Sequence, residues 1–269
     1  MPELPEVETV RRTLEGKISN QMIIGIDDYY SKLITNDLAW FKKEIQNQTI
    51  HRIDRMGKYL IFILDNYAML IHLRMEGKFY IKTTEKIEKH EHIVFQFKSG
   101  MNLRYHDVRK FGTITLKSLD TYLDEYPLNA LGKEPKDLDP VIFYNMIHHK
   151  SITIKQVLLD QHIIAGLGNI YVDETLFLSR IHPTRKANTI TKKEASLLIE
   201  SAKSVLEKAV LLGGTTIRSY TSSLGVHGRF QNELNVHMKK GEPCPICETE
   251  IIKIKVGGRG TYVCPKCQK

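Results

Sequence analysis

The sequence predicts an α+β fold, with an N-terminal antiparallel β-sandwich or barrel behind a leading helix, a helical domain, and a small cysteine-bearing ribbon. Three observations predict it. Short β-forming runs crowd the first half of the 269-residue chain, helical periodicity replaces them in the second half, and all four cysteines lie near the C-terminal end. With 42% hydrophobic and 26% charged residues, the chain can bury a core in each of two compact domains. The same composition excludes a disordered protein, a collagen-like one and a small disulfide scaffold.

The elements follow in order. Leu4, Val7, Val10 and Leu14 share one helical face, with Arg11 and Arg12 off it. From Met22 to Leu116, strands are predicted at Ile50–Ile53, Tyr59–Leu64, Met69–Leu73, Phe79–Ile81, Ile93–Phe97, Leu103–His106 and Thr113–Leu116. Asn36–Glu44 reads as a small inserted helix. Pro127, Gly132, Pro135 and Pro140 punctuate a charged stretch that reads as a linker. Helices are then expected at 141–149, 153–160, 169–178 and 191–212, the last opened by a capping box of Thr191 and Glu194. The expected domains are 1–130, 131–234 and 235–269.

The last segment reads CPIC from Cys244 and CPKC from Cys264, so Cys244, Cys247, Cys264 and Cys267 form two C-x2-C pairs. That spacing suits one structural four-thiolate Zn2+. Strands at Ile251–Val256 and Thr261–Val263, turning at Gly257, Gly258 and Gly260, make the segment a zinc ribbon. Disulfides or a redox pair are the alternatives, and a cytoplasmic setting disfavours both. A cytoplasmic protein is expected because no apolar run approaches 18 residues and the acidic N-terminus lacks the core of a signal peptide. The net charge of +8 points to a polyanionic partner, nucleic acid first.

The chain begins MPELPEVETVRRTLEGK. Removal of Met1 would leave Pro2 with a secondary amine that can attack a sugar C1′ and give an iminium. Such an amine titrates near pH 8, against about 10.4 for lysine, so a usable fraction is neutral at pH 7. Pro5 as a helix start, with Glu3 and Glu6 favouring the helix dipole, is the plainer reading of the same residues.

This opening, the ribbon, GKYLIF at Gly57–Phe62, IHLRMEGKF at Ile71–Phe79, HDVRKFG at His106–Gly112, AGLGNIYVDE at Ala165–Glu174 and GGTT at Gly213–Thr216 together resemble bacterial formamidopyrimidine-DNA glycosylase. The resemblance covers nearly the whole chain, in order. It implies a β-sandwich, a helical domain with a helix-turn-helix-like element, and a bifunctional glycosylase and abasic-site lyase. The implied substrates are 8-oxoguanine and formamidopyrimidines in duplex DNA, cut by β,δ-elimination.

The target nucleotide must be flipped out of the duplex to be reached. By resemblance, Pro2 attacks C1′, Glu3 assists ring opening and proton transfers, Lys58 donates a proton in elimination, and Arg259 serves the second elimination. A guanidinium is a poor acid, so holding a phosphate is the easier task for Arg259. Met75, Arg109 and Phe111 match the residues that fill the vacated stack, with the Arg109 guanidinium facing the orphaned cytosine. Core packing is the alternative for Met75 and Phe111. Asn169, His72, His90 and Lys150, with Lys58 and Arg259, match phosphate contacts; Asn169 sits where backbone N–H groups at a helix start receive an anion. The loop 213–225 matches the region that covers the flipped base. A monomer is expected.

Two rivals remain. The sister glycosylase endonuclease VIII shares the terminal proline and the ribbon but prefers oxidised pyrimidines; Leu4 and the set Met75, Arg109 and Phe111 favour the purine enzyme. A non-catalytic zinc-ribbon DNA-binding protein explains the charge and cysteines but leaves Pro2, Glu3 and Lys58 without a task.

Overall fold

A computed structural model describes residues 1–83, 86–215 and 228–269. The chain divides into two compact units. The first takes in Met1–Asn129 and the described ends of Gly213–Gly228; the second takes in Ala130–Leu212 and Arg229–Lys269.

The first unit is a sandwich of two four-stranded antiparallel sheets behind helix α1 (Leu4–Ile18). One sheet has the order β1 (Ile23–Asp28), β6 (Glu91–Phe97), β7 (Asn102–His106), β5 (Lys78–Lys82). The other runs β2 (Arg52–Met56), β3 (Tyr59–Ile63), β4 (Tyr67–His72), β8 (Thr113–Ser118). Alternation explains the layering: Leu60 and Phe62 of β3 enter the shared core with Met69, Ile71, Phe79, Phe95 and Leu103. Val7, Val10, Leu14 and Ile18, spaced at helical period, seal α1 onto that core. Glu8 adds a polar clasp, receiving Arg11, Arg12 and, from β2, Arg55. Burial pushes the Glu8 carboxyl up, but the three guanidiniums outweigh it and hold it at about 2.

Two elements differ from expectation. Strand β1 was not predicted, because its sequence IIGIDD has no alternation; it is a half-exposed edge strand with an irregularity between Ile23 and Gly25. Strand β2 begins at Arg52 and continues to Met56, which faces Tyr59 across a two-residue turn, Gly57 and Lys58. Gly57, at φ 56°, supplies the left-handed conformation that the turn requires.

The second unit holds α3 (Pro140–Ile147), α4 (Ile154–Leu159), α5 (Asn169–Leu178), α6 (Lys192–Leu211) and the ribbon strands β9 (Ile252–Val256) and β10 (Arg259–Val263); the small helix α2 (Leu38–Ile45) belongs to the first. Pro140 is not linker: it opens α3, whose first N–H groups are met by the Asp139 side chain. Helices α4 and α5, joined by residues 160–168, form the helix-turn-helix-like element. The predicted capping box of α6 is present, with Thr191 Oγ1 accepting from Glu194 N and Glu194 from Thr191 N. In the ribbon, Gly260 lies within β10 and the turn is Gly257 and Gly258, at φ 54° and 79°.

Candidate active site and metal centre

The start of α1 concentrates buried carboxylates. Pro2 is buried, and Glu3 and Glu6 are 2% and 5% exposed. Glu6 uses both oxygens: one accepts from Glu3 N at 2.8 Å, the other from Thr215 N at 2.7 Å and Thr215 Oγ1 at 3.0 Å. Gly214 lets the chain pass this close, because a Cβ there would stand 2.6 Å from Glu6 Oε1 and its φ is 76°. The segment after Thr215 expected to cover a flipped base, residues 216–225, lies outside the described residues.

Lys58 sits at the tip of the β2–β3 hairpin yet is buried, at 5% exposure. His72 lies opposite Tyr59 on β4, its ring edge-on to the phenol at 4.6 Å between centroids. Burial first, then the charges of Arg74 and Lys58, push its pKa down to about 3, so it is neutral. Its Nδ1 accepts from Arg74 N at 3.0 Å, which leaves Nε2–H as the free donor.

The two segments predicted to refill the stack stand on neighbouring strand ends. Met75 is half-buried in the turn before β5, while Arg109 and Phe111 lie exposed in the turn after β7. Phe111 is 53% exposed, which removes core packing as its role. The Arg109 guanidinium lies 4.8 Å over its ring. Buried Asp107 shapes this turn: Oδ1 accepts from Arg109 N at 3.0 Å, and Oδ2 accepts from Phe111 N and Gly112 N at 3.0 and 2.9 Å. His90, half-buried at φ 71°, accepts Asp107 N–H on its carbonyl and meets the His106 ring at 5.6 Å.

In the second unit, Asn169 is the first residue of α5. Its Nδ2 donates to Gly260 O at 3.0 Å, and its buried Oδ1 has no partner among the described residues. Arg259 is exposed beside the ribbon turn, and Gly257 there packs so tightly that a Cβ would lie 2.7 Å from Gln156 of α4. Lys150 is half-buried just beyond α3.

The cysteine sulfurs all lie within 4.8 Å of one another, with Cys244–Cys267 at 3.9 Å and Cys247–Cys264 at 3.4 Å. Tetrahedral zinc with bonds of about 2.3 Å places sulfurs roughly 3.8 Å apart, so the set fits one ion and all four positions are taken. The thiols are free, not disulfide-bonded, and the ribbon holds one structural Zn2+.

Sequence reasoning missed a buried polar network behind the ribbon. Lys155 Nζ donates to Asp173 Oδ1 at 2.6 Å, and His237 Nδ1 meets Asp173 Oδ2 at 2.7 Å, all three groups being buried. Beside it, Glu174 accepts from Asn235 N, Asn235 Nδ2, Val236 N and His237 N. The available signal was an acidic pair inside a helix otherwise buried along its length.

Known proteins resolve which family builds such a chain. Residues 1–114 match the formamidopyrimidine-DNA glycosylase N-terminal domain, 131–221 the H2TH domain of the same glycosylase, and 241–269 a zinc finger found in FPG and IleRS. The formamidopyrimidine-DNA glycosylase of Oceanobacillus iheyensis is 45% identical, over 100% of this chain and 98% of its own length. A mutant of Lactococcus lactis FPG, solved with a Fapy-dG containing DNA, shares 46% identity with a TM-score of 0.95, covering 100% of both chains. MutM in complex with carbocyclic 8-oxo-G containing DNA gives 46% identity and a TM-score of 0.94 over the same full lengths. With buried acids at the start of α1, a buried lysine at a hairpin tip and a four-thiolate ribbon in one chain, the protein is an enzyme of the formamidopyrimidine-DNA glycosylase family.

Proposed function

We propose that this glycosylase and abasic-site lyase removes 8-oxoguanine and formamidopyrimidines from duplex DNA through a Schiff base at Pro2, followed by β,δ-elimination. The observation that carries the reading is a buried Pro2 immediately followed by the buried carboxylate of Glu3, which the capping box with Glu6 holds in place beside it. Three functional modules, 1–130, 131–234 and 235–269, divide the work, and the protein acts as a cytoplasmic monomer.

The amine of processed Pro2 attacks C1′ of the flipped nucleotide, and the bond from C1′ to the base breaks with its electron pair leaving on the base. Protonation of the sugar ring oxygen, aided by Glu3, opens the ring and leaves an iminium. Loss of a C2′ proton then expels the 3′ phosphate, and a second elimination expels the 5′ phosphate. Lys58, buried at its hairpin tip, supplies a proton in elimination. His72 offers its Nε2–H to a phosphate, its ring oriented by the bond that Nδ1 accepts from Arg74 N.

Met75 and Phe111 replace lost stacking, and Arg109 pairs with the N3 and O2 acceptors of the orphaned cytosine. His90 and Lys150 hold phosphates, as do Arg259 beside its turn and Asn169 at its helix start. The zinc shapes the ribbon and takes no part in bond making.

Borohydride trapping tests the proposal. Processed protein mixed with an 8-oxoguanine:cytosine duplex should give a covalent adduct on reduction, and more of it than with a thymine-glycol duplex. Protein that retains Met1, verified by mass, should give none. A full yield from unprocessed protein overturns the Pro2 assignment, and a stronger adduct with thymine glycol favours the pyrimidine enzyme.

A further inference from the structure

Two residues that touch no DNA in this scheme lie directly beneath the three that refill the stack. Tyr105, wholly buried in β7, faces Phe79 of β5 and Ile93 of β6 across the sheet and meets the Phe79 ring edge-on at 5.2 Å. Both turns close on its hydroxyl. A Cβ built on Gly77, two residues after Met75, would stand 2.1 Å from the Tyr105 oxygen, and one built on Gly112, next to Phe111, would stand 1.8 Å from it. Neither glycine has a left-handed φ, so close approach excludes the side chain: at Gly112 the neighbour is this phenol alone, and at Gly77 it is the phenol together with Leu73 O at 2.7 Å.

Asp107 holds the second turn from within. Its carboxylate takes the N–H groups of Arg109, Phe111 and Gly112, and its carbonyl accepts from His92 Nε2 at 2.9 Å. Lys110, at φ 57°, is kept in a conformation that L residues avoid. Backbone shape is thus set by buried groups, while the side chains of Arg109 and Phe111 stand exposed, stacked on each other.

We propose that Tyr105 and Asp107 are positioning residues that set the Met75 turn and the Arg109–Phe111 turn in one register, so that the wedge and the reader of the opposite base act as a unit. The proposal rests on the assignment of Met75, Arg109 and Phe111 to the vacated stack. Its chemistry is local: Asp107→Asn places an amide NH2 or removes an acceptor where three N–H donors converge, and Tyr105→Phe removes one oxygen from the post while leaving the ring in the core.

The experiment is single-turnover excision by full-length, zinc-loaded protein on a formamidopyrimidine lesion paired with cytosine and with adenine. The readout is the ratio of the two rates, which a general loss of folded enzyme leaves unchanged. Arg109→Ala tests the underlying assignment and should shrink the cytosine preference roughly five- to 150-fold. Asp107→Asn should shrink it about tenfold, since small misplacements of a contact group are amplified in rate. Tyr105→Phe should shrink it less, and should also make the effects of Met75→Ala and Arg109→Ala additive where they are coupled in the parent protein. If Arg109→Ala keeps the preference, the stack assignment falls. If Arg109→Ala loses it while Asp107→Asn and Tyr105→Phe keep it, the assignment stands and the positioning role is overturned. Should Asp107→Asn fail to fold, Tyr105→Phe alone decides, because it preserves the packed ring.

Discussion

Asp107 and Glu174 are the same device used for opposite ends. Each is a buried carboxylate that gathers three backbone N–H groups of one short segment, Asp107 from Arg109, Phe111 and Gly112, Glu174 from Asn235, Val236 and His237. Around Asp107 the shaped backbone carries exposed side chains, Phe111 at 53% and Val108 at 49%. Around Glu174 it carries Val236 at 0% and His237 at 7%, the lead-in to the ribbon. The first anchor presents a working surface; the second builds an interior. The difference teaches that a buried acid does not announce its task by its partners, only by where the residues it organises point.

The interior anchor should break hardest, beginning with the metal beyond it. Cys267→Ser should release zinc and unfold the ribbon, since metal affinity is folding energy in such a module, of order 10 kcal/mol. Zinc release to a chromophoric chelator and loss of duplex binding measure it; a metal-free variant that still binds DNA tightly would contradict it. Glu174→Ala should come next, destabilising the protein by about 3–5 kcal/mol by stranding buried donors. Denaturant unfolding of the whole chain reads this directly. An equal loss for Asp107→Asn would erase the contrast between the two anchors, because its donors lie nearer solvent.

A third buried group, His72, has no carboxylate partner among the described residues, and pH exposes this. Its pKa lies at about 3 in the fold against 6.5 ordinarily. The folded protein therefore binds fewer protons than the unfolded chain between these values, and stability is lost as pH falls through about 6.5 toward 3. By about pH 5 the loss from this group is about 2 kcal/mol. The thermal midpoint should fall less between pH 7 and pH 5 in His72→Gln than in the parent protein; equal falls would show that His72 is not the titrating group.

The smallest effect belongs to Lys150, half-exposed and outside both anchors. Lys150→Ala should weaken binding to all duplexes alike and reduce the log–log salt slope by about 1, with folding unchanged. A slope that does not move would remove Lys150 from the phosphate contacts.

Much of this was legible in the chain. The cysteine spacing defined the ribbon, the α6 capping box stood where Thr191 and Glu194 put it, and the β-forming run at Tyr59–Leu64 marked a strand of the sandwich. Strand β1 was not legible, because an edge strand reading IIGIDD needs no apolar face. The anchors were hidden for a different reason. Their partners are backbone N–H groups, which every residue but proline carries, so no pattern of side chains records them. Lys155 and Asp173 pair across a separation of 18 residues, with nothing in sequence to distinguish them from surface charges. The candidate site was legible as residue types but not as protonation: only the burial of His72 shows it to be uncharged.

Glu6 brings a matter of timing. Its partner Thr215 lies 209 residues further along the chain. At about 5–20 residues per second, a ribosome needs roughly 10–40 s to travel from one to the other. Both sheets of the first unit are complete once Ser118 has emerged, yet the carboxylate still lacks the amide and hydroxyl that it will hold. The opening residues, first to be made, are thus among the last to be finished, and a truncated product that already contains every strand of the sandwich leaves the ribosome with this corner undone.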